Sequence, residues 1–282
     1  MTNKHLTLSK RFILWFCFIC ATIFFLYPLW IGVVGSFKTT EQVILTKVYA
    51  PVLPMQFNSY KRAISILVNP LRISFMLGIY VTVISIFFGI LGGYSLGLCR
   101  FRGRNLFITL CLFGIYIPPV TKMLPALKIS QWLGIYNTTF GVGLITGAMV
   151  MTTATIIFRQ FYVQIPKAYI EAAVLEGATH LHIMRYLIIP MSVGPAISIF
   201  VMAFTIGWNN YMMALVLTQG PIESRPSALS VATLKDIALF EADYSVMLAG
   251  GIITALLPIL LYILCQKYIR FGSVRSGGSL DK

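Results

Sequence analysis

Charge is what this sequence has least of: Asp, Glu, Lys and Arg make up 11% of its 282 residues, against 58% hydrophobic residues and a mean hydropathy of +0.84. A soluble domain carries about 25% charged residues on its surface, so a water-facing globule is excluded. Alternation at a two-residue period is also missing; the apolar residues come in long unbroken runs, which fit lipid-spanning helices rather than a β-barrel. Cysteine is sparse, with Cys17, Cys20, Cys99, Cys111 and Cys265 all in or at the end of apolar runs, so a disulfide framework is not expected. The CxxC of Cys17 and Cys20, inside a run, reads as two small packing residues. A GxxxxGK[ST] phosphate loop is absent, so ATP is not bound here in that manner. No domain linker, low-complexity segment or clear internal repeat appears. The formal charge of +14 does not point to nucleic acid, because the basic residues flank the apolar runs, where anionic lipid and the positive-inside bias account for them.

Six uncharged runs are present, Phe12 to Phe37, Ile73 to Cys99, Asn105 to Thr121, Ile129 to Phe158, Tyr186 to Ile222 and Tyr244 to Gln266. They predict an all-α polytopic membrane protein with six transmembrane helices. The first run exceeds the roughly 7 to 15 apolar residues of a signal peptide and reads as an uncleaved span. The third is short and carries Pro118 and Pro119, which suggests a kinked span continuing past Lys122 toward Leu127. The fifth is too long for one upright span and too short for two, so it reads as one tilted span, with Trp208, Asn209 and Asn210 in the outer half of the membrane or at a break in the helix. An even number of spans puts both termini on one side. With the termini cytoplasmic, 13 of the 22 basic residues fall inside, the cluster Arg100, Arg102 and Arg104 foremost. The expected division is a cytoplasmic tail over 1–11, a permeation domain over 12–270 with a cytoplasmic loop at 164–186, and a second cytoplasmic tail over 271–282. No charged side chain falls well inside a run, which argues against a proton-coupled carrier. Gly89, Gly93 and Gly97, at successive fourth positions, form a stripe for close helix approach, more readily within the chain than between subunits.

One loop stands apart. Gln164 to Pro190 reads QIPKAYIEAAVLEGATHLHIMRYLIIP, with Pro166 suited to the first turn of a helix of about three turns and Gly177 to the position just past its end. A second short helix can start near Thr179. His180 and His182, two apart, would diverge on a helix, so a metal site is not expected.

The run EAAVLEGA, Glu171 to Ala178, after Ile165-Pro166 and before LIIP ending at Pro190, resembles the EAA loop of binding-protein-dependent ABC importer permeases. Other stretches are similar to the carbohydrate branch of that family, in particular the smaller permease subunit of maltose-type importers. They are RFRGRN from Arg100, IPP from Ile117, LGIYNT from Leu133, FRQFYVQIP from Phe158, GWNNY from Gly207 and QKYIRFG from Gln266. Glu176 stands where family members more often carry Asp, and LRISF from Leu71 lacks the family's Asn-Ser.

The resemblance implies a type I ABC importer permease fold in a prokaryotic cytoplasmic membrane and a non-catalytic transport subunit without a cofactor of its own. ATP and Mg would belong to a partner ATPase dimer. The other implied partners are a second, different permease chain, an extracytoplasmic solute-binding protein and a sugar or oligosaccharide. In such a protein Glu171, Ala172, Ala173, Glu176, Gly177 and Ala178 would couple to the ATPase. The loop acids Glu223, Asp236, Glu241 and Asp243 would meet the binding protein, or simply be solvated. The uncharged polar and aromatic residues Thr152, Thr153, Thr155, Trp208, Asn209 and Asn210 are candidates for the substrate pathway, or for hydrogen bonding between helices. The alternatives are an importer subunit for a polyol, a glycerol phosphate ester or another small solute, and a self-sufficient carrier or channel.

Overall fold

The computed structural model describes residues 8–237 and 243–274, with side chains over 11–234 and 243–268. Glu241, the side chain of Asp236 and most of both expected tails lie outside the described residues. Helices make up all regular structure among them: α1 (Leu8–Ser36), α2 (Thr40–Leu45), α3 (Asn58–Leu98), α4 (Arg104–Tyr116), α5 (Pro119–Trp132), α6 (Thr139–Val163) and α7 (Lys167–Leu175) come first. Then come α8 (His180–Ile183), a π-helical turn (Met184–Ile188), α9 (Ile189–Met191), α10 (Val193–Trp208), α11 (Met212–Leu217), a 3₁₀ turn (Ile222–Ser224), α12 (Ser227–Ile237) and α13 (Tyr244–Val274). Four helices are long and apolar enough to cross a bilayer, or six if each of two bent pairs counts as one span.

The described residues fall into two compact units, one of residues up to 65 with 231–253, the other of 66–230 with those from 254 on. The larger unit is built on α3 and α6. A Cβ placed on Gly89 would lie 2.8 Å from the Cβ of Ala154, one on Gly93 2.5 Å from the Cβ of Phe158, and one on Gly97 3.2 Å from the Cβ of Tyr162. The residue numbers on both helices climb together, so the two run parallel, and the glycine stripe is used within the chain. From the other side, Gly143 meets Tyr80 and Gly147 meets Ile84, with a virtual Cβ 2.7 and 2.9 Å away. Helices in lipid associate by packing rather than by hydrophobic gain, and small residues bring their backbones close enough for that.

Four expected spans depart in detail from the runs that marked them. The helix holding the second run, α3, begins at Asn58, 15 residues before the run, and its 41 residues would extend for about 60 Å. Ala63 and Leu67, four apart, are fully buried there, so the helical period continues among polar residues that end the apolar run. The third run, expected as a kinked span continuing toward Leu127, divides into two helices bent by 106°, as a broken span or a re-entrant loop does. Two successive prolines explain it: each disfavours helix in the residue before it, and Ile117 (ψ 122°) and Pro118 (ψ 142°) are both extended. The run from Ile129 to Phe158 opens on the last turn of α5 and starts its own helix only at Thr139, because Gly134 (φ 69°) and Asn137 (φ 58°) take left-handed turns and Thr138 caps the new helix by accepting from the Gly141 N–H.

The fifth run, expected as one tilted span, is also broken. It divides into the π-turn with α9, then α10, then α11, with a 72° bend at Ser192 and an interruption at Asn209 and Asn210. Of the two positions expected for Trp208 to Asn210, the helix break is the one observed.

Gly93→Ala should lower the thermal stability of the purified protein, by about 1–3 kcal/mol as overpacking does, since its Cβ would collide with the fixed Cβ of Phe158. Gly32, with nothing within 4 Å of its virtual Cβ, is the control. Thermal melting in detergent should show Gly32→Ala unchanged or slightly stabilised and Gly93→Ala clearly lower.

Candidate functional site

The loop after α6 forms a short, firmly attached helix. Pro166 is the N-cap of α7, one position before the first turn expected for it, and the helix ends in a left-handed Gly177 (φ 80°). The Gly177 N–H donates to Val174 O (3.0 Å) and the Ala178 N–H to Ala173 O (2.9 Å), the paired pattern that closes a helix on a C′ glycine. Thr179 then caps α8, its hydroxyl accepting from the His182 N–H.

One face of this loop is anchored. Ile165, Ile183 and Ile188 are buried in a cluster with Tyr94 of α3, Phe158 and Tyr162 of α6 and Ile199 of α10, and Ile170, Ala173 and Ala178 pack on it. Tyr94 Oη lies 2.9 Å from His180 Nδ1, a polar tie between α3 and the start of α8. His182 Nδ1 instead faces Thr179 Oγ1 at 2.7 Å, so the two histidines serve different partners. The opposite face is open: Tyr169, Glu171, Ala172, Val174, Leu175 and Glu176 are exposed, Leu175 at 89%. Of the alanine pair expected to offer a surface for close packing, only Ala172 lies on that face; Ala173 is turned into the cluster.

The substrate-pathway candidates separate into two groups. Thr153, Asn209 and Asn210 line an open cavity of about 310 Å³ together with Pro119, Lys122, Thr146 and Tyr211. Thr152 instead stands beside Gly114 of α4, and Thr155 is buried against Gly92 of α3. Trp208 is buried, stacked on Phe204, and donates from Nε1 to Thr254 O (2.9 Å). Asn210 is also committed, donating from Nδ2 to Thr146 Oγ1 (2.8 Å) and accepting from the Ala214 N–H (3.2 Å).

Lys122 is the site residue that the apolar runs conceal. It lies one position beyond the third run, yet the bend at Pro118 folds it back so that Nζ donates to Gly114 O inside that run, at 2.5 Å. No charged residue falls well inside a run in the sequence, but the fold brings the Lys122 ammonium against one. The visible signal was the double proline just before a lone basic residue.

Among the loop acids, Glu223 is exposed in the 3₁₀ turn. Asp243 is not a free contact. In the smaller unit it accepts from Thr40 Oγ1 (2.6 Å), Ser245 Oγ (2.7 Å) and the Val246 N–H (3.3 Å), and it pairs with Arg62. It therefore ties the start of α2 and the start of α3 to the start of α13.

Comparison with known proteins follows this geometry. Residues 85–270 match the family described as the binding-protein-dependent transport system inner membrane component. A probable ABC transporter permease protein of Pyrococcus horikoshii is 33% identical over 263 residues, 93% of this chain and 94% of the relative. The arabinooligosaccharides transport system permease protein of Halalkalibacterium halodurans is 31% identical over 208 residues, 72% of this chain and 71% of the relative. In fold, the chain is similar to a chain in the crystal structure of a bacterial ABC transporter involved in the import of the acidic polysaccharide alginate, with a TM-score of 0.76 and 22% identity, over 94% of this chain and 99% of that one.

The Asp243 junction carries a pH dependence. Burial pushes its carboxyl up, but hydrogen bonds from Thr40, Ser245 and Val246 and the charge of Arg62 outweigh that and hold it below the usual carboxylate range. A depressed folded pKa contributes stability that is present above the unfolded value, about 3.9, and lost as pH falls through the folded one. Hydrogen-exchange protection of α2 and of the first turn of α13, relative to the intrinsic rate at each pH, should fall below about pH 4. In Asp243→Asn the same segments should already be less protected at neutral pH and lose much less protection on acidification.

Proposed function

We propose, from the premise that this chain belongs to the family of binding-protein-dependent transport system inner membrane components, that it is the permease subunit of an ABC importer for a sugar or oligosaccharide. The chain resides in the inner membrane as that family's component. ATP is hydrolysed by a separate pair of ATPase subunits, and this chain does no chemistry. Both termini and the loop over 164–186 lie on the cytoplasmic side. A second, different permease chain completes the membrane part, and an extracytoplasmic binding protein delivers the solute.

The observation that carries this reading is the two-faced α7. Its open face offers Tyr169, Ala172 and Leu175 to a partner, while its buried face shares one cluster with α3, α6 and α10. A push on the open face reaches the spans without passing through a flexible joint. Closure of the ATPase pair would move α7, and the spans would shift between inward-open and outward-open states. Glu171 and Glu176, both exposed, would set the polar rim of that contact. The sugar assignment is supported by the arabinooligosaccharide relative and by the uncharged polar side chains of Thr153 and Asn209 in the cavity. Among the described side chains, Glu223 is the exposed candidate for meeting the binding protein.

Gly177→Leu places a side chain at φ 80°, which costs about 1–2 kcal/mol, and puts its bulk at the end of the docking face. In proteoliposomes holding the full complex, this variant and deletion of 167–177 should lose transport and binding-protein-stimulated ATP hydrolysis while the protein stays in the membrane. Unchanged transport in both would contradict the coupling role. Screening the purified binding protein should return a sugar; selective retention of a polyol or glycerol phosphate ester would move the complex out of the carbohydrate branch.

A further inference from the structure

The cavity between α5, α6, α10 and α11 contains a cation without a carboxylate. Lys122 is the one charged side chain among the described residues lining it; the remaining walls are neutral, with Met149, Met202, Met212 and Met213 supplying much of the apolar surface. The half-buried ammonium has three donors, and one meets Gly114 O in the last turn of α4. That carbonyl lies at the negative end of the α4 dipole, so it attracts the cation and holds Nζ in place. The other two N–H groups find no hydrogen-bond acceptor among the described side chains. Asn210 is spent on Thr146 and Ala214. Thr153 and the exposed Asn209 make no side-chain hydrogen bond within the described residues, and both are neutral.

A partly desolvated charge is costly unless an opposite charge or a full set of hydrogen bonds faces it. An ionisable side chain at a cavity in a lipid-embedded protein marks the solute path more often than it serves packing. Capping α4 requires a donor to the Gly114 carbonyl, but neither a net charge nor exposure to the cavity.

We propose that Lys122 is the charge-selecting residue of this cavity and that the solute it favours is an acidic sugar, a saccharide bearing a carboxylate. The carboxylate pairs with Nζ, Thr153 and Asn209 hydrogen-bond the hydroxyls, and the Tyr211 ring meets the apolar face of the sugar. This inference rests on the reading of the chain as a sugar permease subunit and adds to it the class of sugar.

Galacturonate and galactose differ at C6, carboxylate against hydroxymethyl, and serve as the two probes. Equilibrium binding of each to the purified full complex should show galacturonate held about tenfold more tightly, as a single close charge pair provides. Lys122→Met should remove the preference, bringing the ratio of the two affinities close to one. Lys122→Gln, which keeps a donor for Gly114 O, should lose the preference as well, and Lys122→Arg should retain it. Equal affinities in the wild-type complex, or a preference that survives in either neutral variant with an unchanged melting temperature, would overturn the proposal. The importer reading fails differently, through purification of this chain without an ATP-hydrolysing partner. A complex that hydrolyses ATP but lacks the galacturonate preference sinks only the role of Lys122.

Discussion

Helices in lipid gain nothing from turning apolar side chains toward one another, so the arrangement of this protein depends on how closely α3 and α6 can approach. The stripe of Gly89, Gly93 and Gly97 sets that distance by letting Ala154, Phe158 and Tyr162 sit against bare backbone. The same Phe158 and Tyr162 are fully buried, and their other sides hold Ile165, Ile183 and Ile188. One set of aromatic side chains thus joins two spans to the loop that follows them. Enlarging a glycine would loosen the loop as well as the helix pair, and the mechanical role proposed for α7 follows from that shared packing.

Interruptions of the backbone supply the rest of the machinery. Pro118 and Pro119 turn the chain by 106°, and Ser192 and the Asn209–Asn210 break divide the fifth apolar run. Each interruption frees backbone groups that must find partners. Lys122 meets the Gly114 carbonyl, and Asn210 meets the Ala214 N–H. The polar side chains that satisfy these breaks are also those that line the cavity. Irregular backbone at this depth is tolerated where it faces protein or a cavity rather than lipid.

Local chemistry made parts of this legible in the sequence. Pro166 and Gly177 bracket α7 closely, since a proline-led start and a left-handed glycine stop act within a few residues. The glycine stripe and the start of α13 at Tyr244 were readable for the same reason. Features decided by distant partners were not. The early start of α3 rests on burial of Ala63 and Leu67, the late start of α6 on left-handed turns at Gly134 and Asn137, and the inward face of Ala173 on a cluster gathered from four segments. Trp208 and Thr155 read either as substrate-pathway residues or as polar ties between helices; in the fold Trp208 donates to Thr254 O and Thr155 packs on Gly92. Asp243 read as a surface acid and is the centre of a junction. Lys122 was legible as part of the third span, but its pairing with the Gly114 carbonyl was not, because the 106° turn brings the two together.

The central claim is that α7 and the α3–α6 pair move as one body. Spin labels at Lys167→Cys on α7 and Phe87→Cys on α3, both exposed positions, report it directly by pulsed dipolar distance measurement in the full complex with the native cysteines replaced. A single narrow distance distribution, the same without nucleotide and with ATP trapped, is predicted. A distribution that shifts or broadens when ATP binds would show α7 moving independently of the spans and would contradict the account.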